Sequence, residues 1–276
     1  MRVAAVQLNS NADKDRNLGA AERLVREAAA DGAEFVALPE KWNLLAGGEE
    51  LAAGAEPLDG PSLSAARGWA RELGIHLLAG SISERGEGEK ASNTSVLISP
   101  DGGDLAVYRK IHMFDVEAGG VTYRESEFER PGTEAVAAQV GDLTAGLTVC
   151  YDLRFPELFR ILALRGARLI AVPSAFTLAT GRDHWEVLLR ARAIENQLFV
   201  LAPNQFGEAP PHYSSFGRSM IVDPWGVVLV TAPDGEGFVA ADLDLAAQDR
   251  VRESLPSLAN RRPGTYAWPQ PTEAPA

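Results

Sequence analysis

Only one of the 276 residues is a cysteine. Cys150 therefore has no partner for an internal disulfide, which excludes the stapled frameworks of small secreted proteins. Long apolar runs are missing too, and nothing approaches the roughly 20 residues that a membrane-spanning helix needs. Basic residues are scarce: 26 Lys and Arg face 38 Asp and Glu, a formal net charge of -12 with no polybasic tract. Such a surface repels phosphate backbones, so neither nucleic acid nor a membrane is an expected partner. Metal-ligand patterns are absent as well. There is no Cys pair, no His-x-x-x-His and no dense Asp array, so no metal is expected. Gly-rich phosphate loops are lacking, and "EAGGV" and "DGGD" read as turns. The opening "MRVAAVQLNS" turns polar too soon for a signal peptide, and the reducing cytoplasm is the expected location.

What is present is a hydrophobic fraction of 46%, ample for one large core. Short β-like runs alternate with longer helical patterns. "RVAAVQL" reads as strand, Asn17 to Ala30 as helix, "AEFVALPE" as strand and Ser62 to Leu73 as helix. "IHLLAGSI", "ASNTSVLISP" and "LAVYRK" continue as strands. The order then repeats in kind: "LTAGLTVCYD" strand, "PELFRILALRG" helix, "ARLIAVPSA" strand, "HWEVLLRARAIEN" helix and "LFVLAPNQ" strand. A closing run of strands and turns follows. Two halves of similar element order point to an internal pseudo-repeat in a layered α/β domain. No linker divides the chain, so residues 1–276 read as a single domain. Its Pro-rich end, about 267–276, is expected to lie extended.

Three polar residues stand at or near the ends of β runs: Glu40 after "FVALP", Lys110 after "LAVYR" and Cys150 after "GLTV". Strand ends of layered sheets gather at one edge, where sites form. Each residue also has a bland reading. A lone cysteine is usually a small buried hydrophobe, a single Glu a solvated loop carboxylate, and a single Lys a surface charge. The flanks of Cys150 favour chemistry, because Tyr151, Asp152 and Arg154 turn polar at once and Pro156 suits the first turn of a helix. A thiol needs a base. His76 reads as a packed strand residue, His112 follows Lys110, His184 opens a helix and His212 lies in a loop, and none is an evident partner. A carboxylate such as Glu40 can serve instead. A buried ammonium at Lys110 would depress the thiol pKa and stabilise an oxyanion.

The stretches "LPEKWN", "YRKIHMFD" and "CYDLRFPELFR" resemble the three signature segments of the nitrilase superfamily of carbon–nitrogen hydrolases. The likeness extends from about Arg2 to "RRPGTY" at Arg261 to Tyr266. "VTYRESEFERPG", "SFGRSMIVDPWG" and "HWEVLLRARAIE" are similar to the Nit branch, the last favouring its deaminated glutathione amidase subgroup. The resemblance implies a four-layer αββα sandwich, subunits that pair as a homodimer or larger homo-oligomer, and no cofactor. It also implies Glu40 as general base, Lys110 as oxyanion stabiliser and Cys150 as nucleophile. A second family glutamate maps onto Glu125 in "RESE", with Glu117 in "FDVEAGG" as the competitor.

The implied substrate is a small-molecule amide. The leading reading is hydrolysis of the ω-amide of deaminated glutathione. Its nearest alternative is ω-amidase action on α-ketoglutaramate, and a carbamoylase, a nitrilase or a non-enzymatic interaction protein on the same scaffold is more distant. Substrate carboxylates require a local cation in an acidic protein. Arg154 is the first choice, since a guanidinium grips a carboxylate with two hydrogen bonds. Tyr151, Phe176 and Thr177 are expected to line the pocket, with Arg182 and Arg218 as weaker candidates for a far carboxylate. The helix "HWEVLLRARAIENQ" reads as one apolar face formed by Trp185, Val187, Leu188, Leu189 and Ile194. Arg190, Arg192 and Glu195 are available there for ion pairs at a helix–helix contact.

Overall fold

The computed structural model describes every residue except 87, 119, 210–212 and 268–276. His212 and nearly all of the Pro-rich end lie outside the described residues. The first half of the chain runs β1 (Arg2–Gln7), α1 (Lys14–Ala30), β2 (Phe35–Ala37), α2 (Gly48–Ala53), α3 (Pro61–Leu73), β3 (His76–Leu78), β4 (Ile82–Glu84), β5 (Ser92–Ile98) and β6 (Asp104–Arg109). A small hairpin, β7 (Asp115–Ala118) and β8 (Val121–Arg124), and then β9 (Val136–Val140) lead to the second half. That half runs β10 (Leu143–Leu147), α4 (Pro156–Leu164), β11 (Leu169–Ala171), α5 (Leu178–Asn196) and β12 (Phe199–Ala202). The hairpin β13 (Phe206–Ala209) and β14 (Tyr213–Phe216), β15 (Met220–Val222), β16 (Val228–Thr231), β17 (Gly237–Asp242) and α6 (Leu245–Ser254) complete it.

The two halves build two sheets of one design. Each has three parallel strands, β1–β2–β3 in one and β10–β11–β12 in the other. Each continues into an antiparallel hairpin, β5–β6 or β15–β16. The remaining edge is exchanged. β9 follows the first half but pairs with β10, and β17 follows the second half but pairs with β1. This duplicated order is the structural form of the repeat visible in the sequence.

Side-chain alternation assigns the layers. Val3, Ala5, Phe35, Ala37 and Leu78 of the first sheet share a core with Leu143, Ala145 and Leu147 of the second. Ala4, Val6, Val36 and Leu77 point the other way, against Leu24 of α1 and Leu63 of α3. Leu158 and Leu162 of α4, with Trp185 and Leu189 of α5, cover the second sheet. The result is an αββα sandwich. Asp13 caps α1 by accepting from the Arg16 N–H, and Gly74 ends α3 in a left-handed conformation. No helix among the described residues is long and apolar enough to cross a membrane.

Two features of α5 differ from expectation. Thr177 caps the helix, so it begins six residues before His184, which sits mid-helix and exposed. Its apolar residues also divide between two faces. Trp185 and Leu189 are buried, whereas Val187 is 66% exposed and Ile194 48%. The charges serve the fold within one subunit: Arg192 bonds Glu195 and the Leu153 carbonyl, and Arg190 bonds Glu186 and the Gly226 carbonyl. α6, Leu245–Ser254, follows the closing strands and turns and is not anticipated from the sequence.

Candidate active site

All three strand-end residues are buried: Glu40 is 5% exposed, Lys110 2% and Cys150 8%. The solvated carboxylate and the surface lysine are therefore not what these residues became. Each is delivered by a sheet and then fixed by its own loop.

Glu40 lies three residues beyond β2. Its loop packs directly on Gly80, where a Cβ would stand 1.9 Å from the Pro39 carbonyl oxygen. Trp42 anchors the far side, fully buried, donating from Nε1 to the Ala79 carbonyl and meeting Trp69 of α3 edge-on at 5.8 Å. Gln205 donates to the Glu40 carbonyl oxygen at 2.9 Å. The carboxylate then accepts from the Ala175 N–H at 2.8 Å and from Asn93 Nδ2 at 2.8 Å.

Lys110 follows β6 directly. Arg109 is gripped by Glu84 through two bonds of 2.7 and 2.6 Å, which fixes the strand end. The Lys110 ammonium donates to Glu40 Oε1 at 3.1 Å and to both oxygens of Glu125 at 2.9 and 2.8 Å. Glu125 also accepts from Asn93 at 3.0 Å and from the Phe114 N–H at 2.6 Å. Glu117 is instead an exposed strand residue of β7. Of the two candidate glutamates, the fold brings Glu125 to Lys110.

Cys150 lies beyond β10, where the chain leaves the ladder and enters a short 3-10 turn, Cys150–Arg154. Its φ of +47° is left-handed, a conformation that costs a non-glycine residue energy and is held by its surroundings. The Cys150 N–H bonds the Pro173 carbonyl at 2.8 Å. Asp152, fully buried, ties the turn to the lysine segment. It accepts from the Val149 N–H, the Tyr108 hydroxyl and the His112 N–H, and its Oδ1 lies 2.7 Å from His112 Nδ1. His112 thus serves Asp152 and stacks on Phe155, 3.6 Å between ring centres. His76 is a half-buried residue of β3.

The thiol sits against the Glu40 carboxylate, the Lys110 ammonium and the Ala175 N–H. Burial and then the charge of Glu40 push its pKa well above the ordinary thiol value, and Lys110 only partly opposes them. This corrects the expectation of a thiol depressed by lysine. Lys110 is shared by two carboxylates, so the three groups carry a net negative charge that disfavours a thiolate. Burial works against the ammonium, but Glu125 and Glu40 outweigh it and hold Lys110 charged, with its pKa well above the usual value. Burial likewise pushes Glu125 up, but Lys110 and the hydrogen bonds outweigh it and bring its carboxyl down to about 2.

Glu40, Lys110, Glu125 and Cys150 open together into one cavity of about 310 Å³. Tyr151, Arg154, Phe176 and Thr177 all line it. The Arg154 guanidinium lies over the rings of Phe176 and Tyr151, 5.1 and 5.9 Å from their centres, and bonds His184 Nδ1 at 3.2 Å. Arg182 and Arg218 do not line the cavity; Arg218 pairs with Asp234 instead. Arg124 of β8 does line it. Asn93 and Asp152 were missed as functional candidates. The available signal was the run of polar residues in a strand that proves wholly buried, Ser92 to Ser95.

Residues 2–253 match the carbon-nitrogen hydrolase family. The chain belongs to that family. It is similar to the omega-amidase NIT2 of Homo sapiens, with 39% identity over 267 residues covering 96% of each chain. Similarity to the deaminated glutathione amidase of Mus musculus is 41% over 273 residues, 96% of this chain and 84% of that one. Among solved structures, a mutant amidase from Nesterenkonia sp. AN1 superposes with a TM-score of 0.82 at 28% identity, over 96% of this chain and 94% of that one. That protein carries the acetamide moiety of fluoroacetamide covalently added at its active-site cysteine. This carbon–nitrogen hydrolase thus has nitrilase-superfamily relatives over nearly its whole length.

Proposed function

We propose that this carbon–nitrogen hydrolase is a thiol amidase that cleaves the ω-amide of deaminated glutathione, or a closely related α-keto acid amide, to a carboxylate and ammonia. The observation that carries the reading is the meeting of Cys150, Glu40 and Lys110 in one cavity. Glu40 takes the thiol proton as the sulfur attacks the amide carbonyl, so a thiolate forms only as the new bond does. That order suits a thiol whose resting pKa is high. Lys110 and the Tyr151 N–H stabilise the oxyanion. Glu40 returns the proton to the leaving nitrogen, ammonia departs and a thioester remains. Water, deprotonated by the same glutamate, attacks the thioester and releases the acid and the thiol. Glu125 orients Lys110 throughout.

Arg154 bonds His184 but makes no ion pair with a carboxylate among the described residues, which leaves its charge available to the α-keto acid end of the substrate. Arg124 replaces Arg182 and Arg218 as the cation proposed for the far carboxylate. The nearly equal identities to the two kinds of relative keep ω-amidase action on α-ketoglutaramate as the second reading. Ammonia release on a panel of ω-amides separates them. Preference for the dipeptide-extended compound supports the first, and equal or reversed preference supports the second. No turnover of any amide, nitrile or carbamoyl compound refutes both. We further propose a cytoplasmic homodimer. Exposed Ile161 and Leu164 on α4, with Val187 and Ile194 on α5, support pairing with a second copy, which the mass in solution tests.

A further inference from the structure

Beside the reacting groups lies a second buried charge pair that this mechanism leaves unused. Lys41 directly follows Glu40, is 5% exposed and has a left-handed φ of +55°. Its ammonium donates to Ser83 Oγ at 2.7 Å and to Glu129 Oε1. Glu129 is 3% exposed and also accepts from Ser83 Oγ at 2.9 Å. Four residues after Glu125, its N–H bonds the Glu125 carbonyl oxygen at 2.9 Å. The groups form a closed ring: Glu40 to Lys110, Lys110 to Glu125, Glu125 to Glu129, Glu129 to Lys41, and Lys41 by the peptide bond back to Glu40.

Stability alone gives no reason for such a pair, since apolar replacements of buried ion pairs are often neutral or stabilising. We propose that Lys41 and Glu129 are positioning residues for the reaction. They tie the loop carrying Glu40 to the turn carrying Glu125, and so hold the Lys110 ammonium between the two carboxylates. Lys41 also offsets the negative charge that Glu129 brings beside Glu125. Glu129 shows the strain of that neighbourhood: burial raises its pKa, Glu125 adds to the rise, and Lys41 opposes it. The inference rests on the roles given above to Glu40, Lys110 and Glu125.

The test compares the full chain with Glu129→Gln and with the double variant Lys41→Met, Glu129→Leu. Melting temperature, kcat and KM are measured on an amide the unaltered protein turns over, well below every melting temperature. A misplacement of about 1 Å can cost on the order of a hundredfold in rate, so both variants should lose roughly ten- to a hundredfold in kcat while KM stays nearly constant. The apolar double variant should keep its melting temperature and still fail to recover kcat. Full recovery of kcat in a folded double variant would reduce the pair to packing and overturn the inference. Should the double variant not fold, Glu129→Gln decides, and an unchanged kcat overturns the inference equally. An unaltered protein inactive on every compound would instead overturn the proposed function, and this inference with it.

Discussion

Replacing Glu125 by Gln removes one charge and little volume, which makes it a sharp probe of the buried network. The Glu125 side chain is 15% exposed and accepts from Lys110 twice, from Asn93 and from the Phe114 N–H. Burial alone would raise its pKa, but Lys110 and these bonds bring it from 4.5 to about 2. That displacement corresponds to about 3 kcal/mol of folding stability. The sign follows from the depressed folded value. The contribution is complete above the unfolded value of 4.5 and is lost as pH falls through about 2. Urea unfolding of both proteins at several pH values reads it out. Glu125→Gln should be less stable by about 3 kcal/mol at neutral pH, and near pH 3 the gap should shrink to about half. A gap below about 1 kcal/mol at neutral pH, or one that does not narrow in acid, refutes the assignment of a charged Glu125 holding Lys110.

Cys150→Ala should abolish ammonia release and leave the circular dichroism spectrum unchanged; substantial residual turnover means the nucleophile lies elsewhere. Arg154→Lys loses the planar fork and should raise KM more than it lowers the melting temperature, whereas an unchanged KM removes Arg154 from the site. The raised thiol pKa predicts that alkylation of Cys150 by iodoacetamide accelerates steadily beyond neutral pH, and a plateau below about pH 8 contradicts it. At Gly48 a Cβ would stand 2.2 Å from the Phe128 ring in the cavity wall, so Gly48→Ala should displace that ring and raise KM. A variant with the original KM would show that this wall does not touch substrate.

Much of the site was legible because each residue proposed to react stands just past a β run, and the ends of strands in these sheets converge. Glu40 after "FVALP" and Lys110 after "LAVYR" needed only that rule. The choice between Glu125 and Glu117 could not be made so, because Glu117 lies within the β7–β8 hairpin and Glu125 just past it, and only the fold shows which of them reaches Lys110. Asn93 was hidden inside a strand pattern, and its polarity gains meaning only once β5 is seen to be buried. The charge state of the thiol was misjudged for a related reason. One nearby lysine predicts a depressed pKa, but two carboxylates share that lysine, and spacing along the chain does not reveal it. Lys41 and Glu129 draw no reading from the sequence, since nothing local signals a partner 88 residues away. In α5 the outward Val187 and Ile194 share the apolar character of the inward Trp185, so composition merged two faces into one.

The most direct measurement is the intact mass of the protein during turnover of a slow amide, followed by peptide mapping. The expected result is an added mass equal to the substrate less ammonia, carried by the peptide containing Cys150 and absent from Cys150→Ala. Steady ammonia release with no adduct under trapping conditions, or an adduct that persists in Cys150→Ala, would contradict it.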